Sequence, residues 1–189
     1  MQHYGLTLAP GVLFIYVQRT LRVMIGRQSM KDAFPTDVAG LWQAIWASMI
    51  FTFLVSLYPG LQNGTTLLLA NMMMQLVAVL TMVLLFMGAL HALVLSDKVF
   101  VYIVPFLWIE NVQHLVAGII QNFVIATANP ALLVMITPVI IWTIYWLWRV
   151  GKDQLQRGGW VATGFLALSF VIDLLLFSIV QMRMPIALN

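Results

Sequence analysis

The chain has 189 residues, of which 62% are apolar and only 8% charged. Soluble domains carry about 25% charged residues, so a water-dispersed globule is excluded and the bilayer is the natural solvent. Nine Lys/Arg against six Asp/Glu give a net charge of +3, but the placement of those charges points to membrane orientation and not to a nucleic acid. The absence of Cys excludes disulfides, thiolate chemistry and Cys-ligated metals.

The N-terminus lacks a Lys/Arg-led region before its first apolar run, so no cleaved signal peptide is expected. Residues 6–17 are apolar but short for a span. Leu13, Val17, Leu21 and Met24 fall at helical spacing, with Gln18, Arg19 and Arg22 elsewhere on the helix and Pro10 at its start. This pattern predicts an amphipathic helix lying on the membrane surface; the rival reading is a sixth, short span.

Five long apolar segments follow, at 39–58, 66–95, 99–125, 131–149 and 159–181. Each approaches the roughly 20 residues that cross a 30 Å core. The expected fold class is all-α, a polytopic transmembrane bundle of five spanning helices plus the interfacial N-terminal helix. The expected divisions are a cytoplasmic segment at 1–38, the membrane domain at 39–182 and an external tail at 183–189. Tyr58-Pro59-Gly60 and Gln62-Asn63-Gly64 are read as breaking the chain after the first span. The second segment is read as one tilted helix, and Ser96-Asp97-Lys98 as a tight helix hairpin. Asn129-Pro130 starts the fourth span, and Gly158-Gly159 precedes the fifth. Asn63-Gly64-Thr65 matches a glycosylation acceptor but is read as a turn because it adjoins span ends. Pro105 and Pro138 interrupt the third and fourth spans and can kink them.

Eight of the nine basic residues, Arg19, Arg22, Arg27, Lys31, Lys98, Arg149, Lys152 and Arg157, fall on one side of this layout, and only Arg183 on the other. The positive-inside rule then places the N-terminus in the cytoplasm and the C-terminus outside. Trp142, Tyr145, Trp146 and Trp148, just before Arg149, read as an aromatic belt at the cytoplasmic interface. The run Met72-Met73-Met74 reads as packing, since consecutive helical residues diverge.

The third span is unusually polar. Glu110, His114, Gly118 and Gln121 are spaced by four, four and three residues and share one helical face, with Gln113 at its border. Asp173 lies about as deep in the fifth span. From their distances to the cytoplasmic ends, the two acids differ in depth by only about 5 Å at 1.5 Å per residue. They could face one cavity, and a charge there would avoid lipid at several kcal/mol. The plainer reading is a seam of interhelical hydrogen bonds, each contributing roughly 0.6–2 kcal/mol. Asn71 and Gln75, one turn apart in the second span, are expected to bond a neighbouring helix. His91 and His114 differ in height by roughly 16 Å, too far for one bis-histidine haem; His91 is read as an interfacial hydrogen-bonding residue. No metal site, cofactor or enzyme signature is read from the chain: it has no nucleophile elbow, paired-His zinc helix or phosphate loop.

The stretch Trp142 to Gly164 (WTIYWLWRVGKDQLQRGGWVATG), an aromatic-rich fourth span meeting a short basic connector and a Gly-led fifth span, resembles bacterial members of the YIP (Ypt-interacting protein) family. The likeness covers roughly residues 35–182 and implies five spans, a cytoplasmic N-terminus and an external C-terminus. The glycine-rich connector of that family after the second span is replaced here by Ser96-Asp97-Lys98, and no functional residue or partner GTPase is carried over.

Two function classes follow. The first is a non-catalytic scaffold or accessory subunit of a larger membrane complex; the alternative is a small transporter or channel component using the polar site around Glu110 and Asp173. Either belongs in a multi-pass integral protein of a bacterial inner membrane, partnered by the bilayer and by other membrane subunits or itself, with no nucleic acid. In a chain without native Cys, single cysteines at Gln62 and Gln154 are expected to label from opposite sides of the membrane. Labelling of both from one side would overturn the five-span layout.

Overall fold

The computed structural model describes residues 10–183; the start of the apolar run at Leu6 and, of the expected tail at 183–189, all but Arg183 lie outside the described residues. The described residues are 89% helical, with no strand among them. A surface helix, α1 (Pro10–Met24), and one turn, α2 (Met30–Ala33), precede five long helices: α3 (Val38–Asn63), α4 (Thr65–Ala92), α5 (Val99–Thr127), α6 (Ile136–Leu155) and α7 (Gly159–Arg183). All five are long and apolar enough to cross a membrane, once the 3-10 turns at Ser96–Lys98 and Pro130–Met135 are counted with α5 and α6. The protein is therefore a membrane-embedded all-α bundle.

Local chemistry sets the boundaries. Asp37 caps α3, its Oδ1 accepting from the Gly40 amide at 2.7 Å. Gly64, at φ +100°, is the single residue joining α3 to α4, so the expected break at Tyr58-Pro59-Gly60 does not occur: α3 runs through Pro59 to Asn63. The reason is visible across the bundle. Pro59 has no N–H to give the Val55 carbonyl one turn back, and Asn122 Nδ2 of α5 donates to that carbonyl instead, at 3.0 Å. Asn129 caps the 3-10 turn that opens the fourth span. Pro138 thus falls in the first turn of α6, where its missing N–H costs little, and does not interrupt the helix interior as expected.

The central pair is α3 with α5, in the most extensive contact of the bundle. The two run parallel in one register: Asn111 Nδ2 bonds the Ala44 carbonyl at 2.8 Å, and Asn122 bonds Val55 at the same offset of 67 residues. Gly118 lets them close; a Cβ there would collide with the Val55 side chain. The remaining helices wrap this pair, with α4 against α3, α6 against α5, and α7 against α6 and α4. A Cβ on Gly151 would stand 2.8 Å from the Ala162 Cβ, so α6 and α7 also meet through small residues.

Burial defines the packed faces of α1 and α6, and corrects one expectation, the belt on α6. α1 turns Val12, Tyr16, Thr20 and Val23 toward the bundle, while of the expected apolar stripe Leu21 is exposed, Leu13 and Val17 are half-buried and Met24 is buried. Tyr16 stacks on Trp108 of α5 at 4.9 Å, and Phe34 also stacks against Trp108 at 6.4 Å. Thr20 tolerates burial because its hydroxyl bonds the Tyr16 carbonyl at 2.8 Å. In the aromatic run of α6, Trp142 and Tyr145 are exposed but Trp146 is buried, and Trp148 donates to Thr163 Oγ1 of α7 at 3.2 Å. Half of the expected belt is packing because 100° per residue carries 146, 147 and 150 inward. Gln154 is also buried, at 5% exposure, so the exposed Gln156 is the position to label in the topology experiment.

The proline repair gives a direct test. Asn122→Leu leaves the Val55 carbonyl without a donor and should destabilise the protein by about 1–3 kcal/mol in detergent unfolding. Pro59→Ala restores an N–H to α3, so Asn122→Leu should cost markedly less on that background. Equal costs on both backgrounds would show that the bond does not serve the proline.

Candidate functional site: a polar cavity between α3, α4, α5 and α7

The first span contributes a stripe that sequence reading overlooked. Ser48, Thr52 and Ser56 recur every four residues and are all buried. A one-turn repeat places the three hydroxyls on one face of α3, where they meet the polar residues of α4 and α5. Gln75 Nε2 donates to Ser48 Oγ at 2.7 Å and Asn71 Nδ2 to Ser56 Oγ at 3.3 Å. Thr52 Oγ1 pairs with His114 Nε2 at 3.3 Å. Asn71 and Gln75 thus bond a neighbouring helix, and with Asn111 and Asn122 they join three helices.

Glu110, Gln113, Gln121 and Asp173 differ from these amides. None has a hydrogen-bond or ion-pair partner among the described residues. Glu110, Gln113, His114 and Asp173 line one cavity of about 130 Å³, together with Ser48, Gln75 and Asn111. His114, Gln75 and Asp173 also line a second, of about 580 Å³, which continues past Thr52, Ser56 and Asn71 to Pro59, Gln121 and Asn122. The polar space therefore runs from Glu110 toward the ends of α3 and α5. Glu110 is half-buried at its inner end, while Asp173 is exposed and stands at the flank where α7 borders both cavities.

The opposite direction is closed. One turn before Glu110, the rings of Phe86, Tyr102, Phe106 and Phe165 pack with centroids 5.0–5.6 Å apart. All four are at most 3% exposed. They come from α4, α5 and α7 and fill the space between those helices on the side where α5 and α7 begin. The site is a polar pocket with an aromatic floor.

His91 stands apart, its Nδ1 3.0 Å from Ser96 Oγ in the α4–α5 connector. Among the described residues, no group of three His, Asp or Glu side chains is placed to hold a metal ion. The smaller cavity offers two carboxyl groups, an imidazole and the free amide of Gln113 around a space of about 130 Å³. Such a set can bind a proton, a small cation or a polar solute. No protein-family model, curated protein or solved structure matches this chain.

Cysteines replacing Glu110 and Asp173, in a chain with none of its own, should crosslink with a short bifunctional thiol reagent. A folded double variant that resists every short reagent would show that the two positions do not share the cavity.

Proposed function

We propose that this protein is a small transport component of a bacterial inner membrane, binding a proton or small cation at Glu110 and Asp173. The single observation that carries this reading is the shared cavity lined by two carboxyl groups that no described side chain satisfies. Helix gluing accounts for Asn71, Gln75, Asn111 and Asn122, each of which makes a cross-helix bond, but gluing gives no reason to keep an acid at position 110. A carboxylate in hydrocarbon costs several kcal/mol, and that cost is retained where the charge is used.

The basic asymmetry puts the connector ends of α4, α5, α6 and α7 in the cytoplasm. The cavity then communicates outward, and the aromatic floor separates Glu110 from the cytoplasm. One-sided access of this kind is what an alternating-access or half-channel mechanism requires in one of its states. On the cytoplasmic side α1 lies in the interface, with its exposed Phe14 and Leu21 and the exposed Ile25 just after it facing the lipid.

The exposed position of Asp173 favours a second reading, in which the chain is an accessory subunit and a neighbouring membrane helix closes the α7 flank. Mild detergent extraction separates the two: a stable stoichiometric partner supports the subunit, and its absence supports a self-sufficient transporter.

Proteoliposomes carrying the purified chain should dissipate an imposed proton or cation gradient faster than empty vesicles. Glu110→Gln keeps most hydrogen-bonding capacity and removes the charge, so it should lower that flux at least about tenfold while unfolding changes by less than about 1 kcal/mol. Wild-type vesicles no leakier than empty ones, tested with both protons and alkali cations, would overturn the transport reading.

A further inference from the structure

A second recess, independent of the carboxyl cavity, opens at the other end of the bundle, between the turn joining α1 to α2 and the last turns of α6. Its volume is about 400 Å³, and its wall includes Arg27, Lys31, Arg149, Asp153, Gln154 and Trp146. Three of these are cations and one is an acid. Asp153 already accepts from Arg149 Nε at 3.2 Å, whereas Arg27 and Lys31 are exposed and have no ion-pair partner among the described residues. The recess therefore carries uncompensated positive charge. Gln154 is 5% exposed and its Oε1 accepts no hydrogen bond. A buried carbonyl oxygen without a donor costs about 1–3 kcal/mol, and a turn of the Gln154 side chain toward the recess it lines would bring that oxygen to a donor held there.

The position narrows the ligand. The recess lies where α6 passes from its exposed apolar stretch, with Ile141, Trp142 and Tyr145 on the outside, into its basic end. A molecule seated there could lay hydrocarbon along α6 and place an anionic head against Arg27 and Lys31. Trp146 and Met30 give the wall an apolar part at the level of a glycerol backbone. We propose that this recess binds the phosphodiester headgroup of an anionic phospholipid that also carries a hydroxyl, as phosphatidylglycerol does. The phosphate pairs with Arg27 and Lys31, and the hydroxyl donates to Gln154 Oε1. Basic pockets of this kind on the cytoplasmic side of helical bundles hold lipid headgroups by the same chemistry.

Free inorganic phosphate shares part of this chemistry, so the test separates the two sources. The full chain in neutral detergent, stripped of lipid, is titrated with phosphatidylglycerol, phosphatidylmethanol, phosphatidylcholine and inorganic phosphate, and bound lipid is counted by native mass spectrometry. Phosphatidylglycerol should bind tightest, and a large excess of inorganic phosphate should leave it bound. The double variant Arg27→Gln, Lys31→Gln should weaken phosphatidylglycerol about thirtyfold, from the usual contribution of two interfacial cations. Both positions are exposed, so folding should be retained; Arg27→Gln alone serves if it is not. Gln154→Leu should abolish the preference for phosphatidylglycerol over phosphatidylmethanol, which lacks the hydroxyl. Unchanged lipid affinity in the cation variants overturns the site, and equal binding of the two phosphodiesters by the wild type overturns the role of Gln154. Displacement of the lipid by inorganic phosphate shows a free-anion site and overturns the lipid assignment.

Discussion

A backbone carbonyl that its own helix leaves without a donor must find one elsewhere at membrane depth, and costs about 1–3 kcal/mol if it does not. Pro59 creates such a carbonyl at Val55, and Asn122 of α5 satisfies it at 3.0 Å. That bond and the equivalent one from Asn111 to Ala44 lock α3 and α5 in a single parallel register. Gly118 allows the approach, since a Cβ there would overlap Val55. Once this register is set, the hydroxyls of Ser48, Thr52 and Ser56 meet His114 and the amides of α4. The cavity lies where it does because the α3–α5 seam holds its two walls together.

Two kinds of polar residue emerge from that geometry. Asn71, Gln75, Asn111 and Asn122 each complete a cross-helix bond, and their chemistry is used up by the fold. Glu110 and Asp173 border the same small space without such a bond. Asp173 is brought there by α7, which closes on α6 through Gly151 and Ala162 and reaches α4 at the cavity's edge. The rings of Phe86, Tyr102, Phe106 and Phe165 seal one direction by close edge and tilted packing, an arrangement that gives about 0.5–1.5 kcal/mol per pair beyond area burial. Moving a charge past that floor needs rearrangement of at least one ring, which makes the floor the natural gate for the transport reading.

Much of the fold was legible because hydropathy and length decide spans almost alone. The five apolar segments at 39–58, 66–95, 99–125, 131–149 and 159–181 correspond to α3 through α7, with ends shifted by a few residues. The shifts have particular causes. Pro59 looked like a terminator because a single sequence does not show that Asn122, 63 residues further on, will satisfy the carbonyl it frees. The bundle-facing stripe of α1 was not read because Tyr16 and Thr20 count as polar, yet Trp108 offers one a stacking partner and the helix's own carbonyl satisfies the other. Within the site, the polar face of the third span was readable from spacing. The Ser48-Thr52-Ser56 stripe was equally readable, as a run of hydroxyls at intervals of four, but small polar residues are common enough in spanning helices to pass unnoticed. The aromatic floor has no local signature, since its four rings come from three helices.

The central claim is that the space beside Glu110 is wet and the space beneath it is dry. Cysteines placed singly along α5 and treated with a small water-soluble thiol reagent test this directly, each variant checked for folding. Reactivity should appear at positions 110, 113, 114 and 121, and vanish at Phe106 and Tyr102. Absence of reaction at every position from 110 to 121 would mean a dry structural seam and contradict the account.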